Sequence, residues 1–189
     1  MERENQRVAI SKRLLKEALL RLLKEKDIGK ISITELCREA GINRATFYRH
    51  YHVPQDVLVD IEMGFIDNAQ SIAPLPAAMS DIMPYLEKLF TYIYDNGEVA
   101  RLLIRSNTEN HLVHMLDRCC FAILETKTAS QDAFLFDKTN LKLLSAFLGG
   151  GGYYLVRAWL MGDSSKTPKE IAQFMFELLN RNLNSYIIG

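Results

Sequence analysis

Cysteine, proline and tryptophan are scarce in this sequence: its 189 residues include three cysteines, five prolines and one tryptophan. An odd number of cysteines cannot all pair within the chain, and the neighbours Cys119 and Cys120 are poorly placed to pair with each other. A disulfide framework is therefore excluded. The low cysteine count is typical of a protein from a reducing compartment.

Long apolar runs are missing too. The longest uncharged one, SAFLGGGGYYLV, is too short and too rich in glycine to cross a bilayer. The N-terminal segment MERENQRVAISKRLLKEALL carries charges where a secretory signal needs an apolar stretch and a cleavage site. We therefore expect an intracellular, cytoplasmic protein without membrane contact.

Sequence signatures of catalysis are also absent. We find no nucleophile elbow, no dinucleotide-binding loop and no credible pair of catalytic carboxylates, so we expect no enzyme and no cofactor. The four glycines at 149–152 lack the Lys-Ser/Thr of a phosphate-binding loop, and helical apolar spacing continues beyond them. We expect them to allow close approach of another helix, across a dimer interface or over a ligand. The alternative is a break between two shorter helices.

Positive and negative charges balance over the whole chain, but neither of its two parts is balanced. The formal net charge is zero, with 23 basic and 23 acidic residues. Residues 1–52 hold twelve Lys/Arg against seven Asp/Glu, and residues 53–189 hold eleven against sixteen. A basic N-terminal part before an acidic one is typical of a phosphate-binding module joined to a domain that does not bind phosphate.

Signals for β-strands are nearly absent, while apolar residues recur at helical spacing throughout, which predicts an all-α fold. The first helix follows the apolar series Ile10, Leu14, Ala18 and Leu22, and we expect Gly29 to end it.

Capping residues mark the next three helices. SITE (32–35) predicts a capping box, in which Ser32 accepts from the Glu35 amide and the Glu35 carboxylate reaches back. Gly41 is expected to end this second helix in the left-handed conformation, and Asn43 to cap the third. Pro54 is well placed in the first turn of a fourth helix that runs to about residue 71.

The proline-rich stretch APLPAAMSDIMP (73–84) is the best candidate for a linker. Beyond it we predict four helices, at about 79–96, 98–127, 132–162 and 168–187, the second of which can break near SNTEN.

The segment GINRATFYRH (41–50) has the pattern of the turn and second helix of a helix-turn-helix. On a helical wheel Phe47 and Tyr51 fall together and are expected to enter the core with Ile42. The opposite side of the helix presents small, hydroxyl, phenolic and cationic side chains: Arg44, Ala45, Thr46, Tyr48 and Arg49. That set can enter a major groove. The ordinary alternative is a solvated basic face on a folding unit.

The longer segment ISITELCREAGINRATFYRHYHVPQDVL resembles the DNA-binding region of the TetR family of bacterial transcriptional regulators, and the likeness extends over about residues 8–62. The tail LLSAFLGGGGYYLVRAWLMGDSSKTPKEIAQFM is similar to the regulatory domain of short members. The resemblance implies a three-helix head with a helix-turn-helix (its pattern matching at 32–52) and a helical-bundle regulatory and dimerisation domain. The expected domains are 1–52, or to about 72 with the connecting helix, and 73–189.

The resemblance also implies which residues contact DNA. Base contacts are expected from four positions: Arg44, Ala45, Thr46 and Arg49. Phosphate contacts are expected from five: Ser32, Thr34, Tyr48, His50 and His52.

The chain departs from the family pattern at the start of the fourth helix. Val53 stands where the family usually has a capping serine, and Pro54 where a lysine often approaches the backbone. We therefore expect this helix to lack a side-chain cap. His52 replaces a frequent lysine, so binding is expected to be weaker or more sensitive to pH.

HLVHMLDRCC (111–120) is the one segment that suggests a metal. A third ligand on the face of His111 and His114 would fall at Met115 or Arg118, and Arg118 cannot ligate. We expect no metal site; the alternative is a metal- or thiol-sensing site that includes Cys120. The ordinary interpretation is one buried cysteine, with histidines on a polar edge or lining a pocket.

These observations predict a homodimeric repressor that binds palindromic double-stranded DNA and is released by a small molecule. The dimer interface is expected from the helices at about 132–162 and 168–187. The candidate ligand contacts are Phe90, Tyr94, His111, His114 and Tyr153. The alternative is an activator or co-activator of the same family, controlled by a protein partner.

Overall fold

A computed structural model describes residues 2–76, 79–106, 111–129, 138–162 and 164–185. Those residues form nine α-helices and two short 3-10 helices, Ile28–Lys30 and Met79–Asp81, and contain no strand. The α-helices are α1 (Glu2–Leu23), α2 (Ile33–Ala40), α3 (Arg44–Tyr48), α4 (Pro54–Ile72), α5 (Ile82–Asp95), α6 (Gly97–Ser106), α7 (His111–Ala129), α8 (Lys138–Met161) and α9 (Pro168–Ser185). The all-α prediction is confirmed. In the described part of the chain, no helix combines the length and apolarity needed to cross a bilayer.

The first helix is shorter than the sequence predicted. It ends at Leu23 rather than at Gly29, so the predicted end was wrong. The amides of Lys24 and Glu25 bond to carbonyls three residues back, at 3.2 and 3.1 Å, which tightens the turn and stops the α-helical ladder. The separate 3-10 helix containing Gly29 follows.

The remaining predicted helices agree with the structure in order, but the four predicted beyond the proline-rich stretch correspond to five, because the second is divided into α6 and α7. The predicted break near SNTEN falls between α6 and α7; residues 107–110 themselves lie outside the described residues, as does the predicted start of α8 near 132. Pro168 begins α9, and Thr167 caps it by accepting from the Glu170 amide at 3.3 Å.

The chain divides into two compact units, Met1–Phe65 with Glu98–Glu109 and Ile66–Gly97 with Asn110–Gly189. The first unit therefore includes α6 as well as the N-terminal helices. An ion pair between Lys24 Nζ and Glu98 Oε1, 2.5 Å apart, joins the end of α1 to the start of α6.

The first unit has an apolar core around α1 and α2. Its large, fully buried hydrophobic side chains are Leu15, Leu19, Leu36, Phe47, Val57 and Leu58. Two ion pairs brace the rim of the α1–α2 contact: Arg21 to Glu39 and Lys26 to Glu35, each at 2.7 Å. The burial fixes how these helices pack, because apolar area removed from water supplies most of the stabilising free energy.

A polar network fastens the end of the helix-turn-helix to α1 and α4. The Tyr51 hydroxyl donates to Asp60 Oδ2 at 2.5 Å. Asp60 also pairs with Lys16 at 3.0 Å and with Lys12 at 3.4 Å. Lys12 lies over the Tyr51 ring, 5.3 Å from its centroid. Burial raises the pKa of Tyr51, and Asp60 raises it further, so the phenol remains a donor.

The second unit is built on two helix pairs, α7 with α8 and α5 with α9. Helix α8 crosses α7 so closely at Gly149 that a Cβ there would lie 2.6 Å from the backbone N and Cα of Asp117. The sequence predicted a close helix approach at these glycines across a dimer interface or over a ligand, whereas Gly149 approaches α7 of the same chain. Gly150 and Gly151 face open space, with nothing within 4 Å.

We expect Gly149→Ala to destabilise the protein by about 1–3 kcal/mol, because the added methyl group meets rigid backbone of α7. The measurement is the free energy of unfolding in urea. Gly64→Ala is the matched control, since Gly64 lies within α4 with nothing within 4 Å. It should gain about 0.5–1 kcal/mol from the better helix former. Equal effects of the two changes would contradict the close approach.

We expect Asp60→Asn to lower the free energy of unfolding by about 1–2 kcal/mol at pH 7, because Lys12, Lys16 and Tyr51 lose a charged partner. Burial alone would raise the pKa of Asp60, but the hydrogen bond from Tyr51 and the charge of Lys16 and Lys12 outweigh it and lower that pKa below its ordinary 3.8. Because the pKa of Asp60 is lower in the folded than in the unfolded protein, its ionised carboxylate stabilises the folded state at pH values above the unfolded pKa. This stabilisation is lost as the pH falls through the pKa of the folded state.

The difference between wild type and Asp60→Asn should therefore be full at pH 7 and shrink below about pH 4. Urea unfolding at several pH values measures it. Asp67→Asn, an exposed position on the same helix, is the control and should change stability little at any pH. A difference that stays constant down to pH 3 would contradict the network.

Candidate nucleic-acid interface

The turn between α2 and α3 is built by the caps that the sequence predicted. Ser32 Oγ accepts from the Glu35 amide at 3.2 Å, and Asn43 Oδ1 accepts from the Thr46 amide at 2.7 Å. Gly41 has φ 65° and ψ 27°, a left-handed conformation that favours glycine. These three predictions are confirmed, and together they set the angle at which α3 leaves α2.

The Glu35 carboxylate of the predicted capping box has a further partner. It accepts from Lys26 Nζ at 2.7 Å, in addition to its interaction with the Ser32 backbone amide. The hydrogen bond from Lys26 lowers the pKa of Glu35. The sequence prediction missed this partner because Lys26 lies in the preceding segment, outside the four-residue motif.

Two buried aromatic side chains hold α3 against the core of the first unit. Phe47 is 0% exposed and Tyr51 is 4% exposed. Their ring centroids lie 5.9 Å apart, and Ile42 beside them is half-buried. The predicted inward face is therefore confirmed.

The outward face of α3 carries the four predicted base-contacting residues. Arg44, Ala45 and Arg49 are exposed, and Thr46 is half-buried. The helix itself ends at Tyr48, and Arg49 continues it as a cap with φ −70° and ψ −21°. The structure thus leaves two arginines and a small side chain exposed on a short helix.

The residues expected to contact phosphate surround this face. Ser32, Thr34, Tyr48 and His52 are exposed. Ser32 uses its oxygen as a helix cap, but a hydroxyl that accepts can still donate its hydrogen to a phosphate. His50 is half-buried, with its ring edge-on to Tyr51 at 6.4 Å.

Val53 has no side-chain oxygen to cap α4, as the sequence predicted, but Asp56 supplies the other half of a capping box. Asp56 Oδ2 accepts from the backbone amides of His52 and Val53, at 2.6 and 3.1 Å. A carboxylate in the first helical turn also suits the positive end of the helix dipole. Asp56 therefore bonds the amides just before α4, whereas a serine at position 53 would accept from an amide of the first turn. The signal was in the sequence, three residues after Val53, where an acid of a capping box stands.

The candidate ligand contacts in the second unit differ in their exposure and in their ring contacts. Phe90 is buried and packs edge-on against Trp159 at 5.6 Å, while the exposed Tyr94 stacks on the same indole at 6.0 Å. His114 is exposed, whereas His111 and Tyr153 are half-buried. Phe90 and Tyr94 thus come together around Trp159, whose N–H donates to the Lys166 carbonyl at 2.9 Å.

The cysteines of α7 are placed as core residues. Cys119 and Cys120 are both buried, where the sequence predicted one. Burial raises the pKa of Cys120 to about 12 and also raises the pKa of Cys119. Thiols of this kind are poor nucleophiles and poor metal ligands at neutral pH, since both roles need the thiolate. Within the described residues no three His, Cys, Asp or Glu side chains are grouped to hold a metal ion.

Two family models match this chain. Residues 15–52 match the model described as bacterial regulatory proteins of the tetR family. Residues 80–181 match a model described as a transcriptional regulator C-terminal region. The two matches cover the helix-turn-helix and most of the second unit.

Among curated proteins, the chain is 24% identical over 185 residues to an uncharacterized HTH-type transcriptional regulator, YxbF, of Bacillus subtilis strain 168. The match covers 93% of this chain but 46% of that relative, so the chain spans about half the length of the curated protein it matches.

Solved structures share the fold at low sequence identity. A TetR transcriptional regulator from Streptococcus agalactiae 2603V has a TM-score of 0.67 at 16% identity, covering 93% of this chain and 97% of its own. The dihydroxyacetone kinase operon activator DhaS has a TM-score of 0.64 at 13% identity, with the same coverage of 93% and 97%. The helix-turn-helix geometry and both family matches agree: the chain belongs to the TetR family of bacterial transcriptional regulators.

Proposed function

We propose that the chain is a homodimeric repressor that binds a palindromic operator through α3 and leaves it when a small molecule binds. The observation that carries this proposal is the exposed face of α3, fixed to the core by Phe47 and Tyr51. A reading helix must be rigid if its side chains are to meet base edges in a defined register.

The chemistry of this face suits a major groove. Ala45 lets the helix come close to the bases and can touch a thymine methyl group. Arg44 and Arg49 can each fork onto O6 and N7 of a guanine, the commonest specific contact in such complexes. Thr46 adds a hydroxyl next to these cations.

Phosphate contacts then fix the position of the helix. The donors we propose are Ser32, Thr34, Tyr48, His50 and His52, all exposed or half-buried around α3.

Exposed apolar side chains on α8 support a dimer. Leu143, Phe147, Tyr154 and Met161 are large and exposed, the first three by 66%, 71% and 67%. Their spacing of four, seven and seven residues places them on one helix face. Helix α9 adds the exposed Phe174 and Leu178. A contiguous apolar surface of this kind usually marks an interface.

Two-fold symmetry connects the dimer to its operator. A symmetric pair of heads requires two half-sites in inverted repeat, about one helical turn apart or a geometric variant of that spacing. In this proposal residues 1–52, extended by α4 to about 72, bind DNA, and residues 73–189 form the dimer and bind the effector.

We place the effector site in the second unit. Of the five candidates, His111 and Tyr153 have the half-buried character of a pocket wall. Phe90, Tyr94 and His114 remain candidates on chemistry alone. The effector must bind the DNA-free state more tightly than the DNA-bound state, because only differential affinity shifts the equilibrium between them.

The sign of regulation has an alternative, an activator or co-activator controlled by a protein partner. It is favoured by one observation, that a chain of similar fold is named an operon activator. A reporter fused to the bound promoter distinguishes the two. Removal of this protein raises expression if it represses and lowers expression if it activates.

We expect Arg49→Ala to abolish specific DNA binding and Arg44→Ala to relax the preference at one base pair by about 1–3 kcal/mol. The physical reason is the loss of a guanidinium that forks onto a guanine. Mobility shift and footprinting on promoter DNA near the gene measure both changes, at one fixed salt concentration because phosphate contacts make affinity depend on salt.

Arg105→Ala is the matched control, since Arg105 is an exposed arginine on α6. It should bind the same DNA as wild type with little change. Unchanged footprints after combined replacement of Arg44, Tyr48 and Arg49 by alanine would rule out α3 as the reading helix.

We expect Phe147→Glu to convert a dimer into a 21.6 kDa monomer, because a buried unpaired carboxylate opposes association. Sedimentation equilibrium measures the mass, and operator affinity should fall with it. Lys88→Glu, an exposed position on α5, serves as the control and should remain a dimer. A Phe147→Glu protein that stays dimeric would place the interface elsewhere.

A further inference from the structure

Arg44 and Tyr48 contact each other one turn apart on α3. Arg44 Nη2 donates to the Tyr48 hydroxyl at 3.3 Å, and the guanidinium carbon lies 5.9 Å from the centroid of the Tyr48 ring. The hydrogen bond is long, and the distance to the ring is close to the limit of about 6 Å for a cation–π contact. Arg44 therefore contacts both the hydroxyl and the ring of Tyr48.

The Tyr48 ring is itself held by the core. It packs edge-to-face on Phe47, with centroids 5.7 Å apart and planes at 79°. Phe47 is completely buried, although Tyr48 is 46% exposed. A continuous series of contacts thus runs from the core through Phe47 and Tyr48 to Arg44.

This support matters because an exposed arginine is otherwise free to move. A guanidinium that forks onto a guanine must lose its rotamer freedom on binding, which weakens the contact. Restricting that freedom in advance strengthens the binding of the arginine to the correct base pair more than its binding to the wrong ones, because only the correct pair accepts both hydrogen bonds.

We propose that Tyr48 is a positioning residue for base specificity: its ring, fixed by Phe47, holds the Arg44 guanidinium in place to read a base. This role is additional to a phosphate contact by the Tyr48 hydroxyl, and it rests on the proposed function, in which Arg44 reads a base pair. A hydroxyl can accept from Arg44 and donate to a phosphate at the same time.

The two roles of Tyr48 separate in two variants. Tyr48→Phe keeps the ring and removes the hydroxyl, so it should weaken binding to every duplex by a similar factor. Tyr48→Ala removes both, so it should also reduce discrimination at the base pair read by Arg44. The expected reduction is about two- to five-fold, the size of an exposed cation–π contact.

The probe is the tightest duplex that the full-length chain selects from a random-sequence pool, together with each of its single base-pair variants. Fluorescence anisotropy gives Kd for wild type, Arg44→Ala, Tyr48→Phe and Tyr48→Ala on every duplex at one salt concentration. The base pair read by Arg44 is the one at which Arg44→Ala loses discrimination, by about 5- to 150-fold.

The inference is supported if Tyr48→Ala loses discrimination at that base pair and at no other, while Tyr48→Phe retains it. The Arg44→Ala/Tyr48→Ala double variant should then lose no more discrimination than Arg44→Ala alone. The inference is overturned if Tyr48→Ala weakens all duplexes by one common factor. It is also overturned if Arg44→Ala keeps full discrimination everywhere, although DNA binding then survives. If wild type selects no duplex, the proposed function fails as well.

Circular dichroism and thermal unfolding check that each variant is folded. Should Tyr48→Ala unfold, Tyr48→Leu replaces it, because leucine keeps an apolar contact with Phe47 but has no π face. The same loss of discrimination is then expected.

Discussion

Burial of Phe47 is the constraint on which the DNA-reading surface depends. Helix α3 has five residues, far fewer than an isolated helix needs to persist in water. Its position comes from the fully buried Phe47 ring, and its far end is tied by the Tyr51 hydroxyl to Asp60 on α4. Because the inward face is fixed so firmly, the side chains opposite can point outward in a constant arrangement. A recognition surface on a mobile segment would lose specificity to conformational freedom.

A few local hydrogen bonds also fix the segments on either side of α3. Gly41 and Asn43 set the turn, and Asp56 satisfies the amides of His52 and Val53 before α4 begins. Short polar interactions thus define where each helix starts, while aliphatic packing defines how the helices cross. Tyr48 makes contacts of both kinds, because its ring packs on the apolar Phe47 and also contacts the charged Arg44.

In the second unit, one helix pair packs through a close approach of the two backbones. Gly149 lets α8 lie against the backbone of α7 at Asp117. Further along the same helix, Gly150 and Gly151 meet nothing within the chain, and Phe147 and Tyr154 are exposed. One glycine run therefore combines a packed position with open ones, because successive residues on a helix face different directions.

The sequence by itself determined the all-α class, the turn at Gly41, the cap at Asn43 and the inward pair Phe47 and Tyr51, because helical period and capping act over a few neighbouring residues. It contained the capping-box carboxylate of Asp56 as well, three residues after Val53. Only the tertiary structure decided that Lys26 pairs with Glu35, that α6 joins the first unit, and that Gly149 meets Asp117. These depend on which distant segments meet in space, and local spacing carries no information about that.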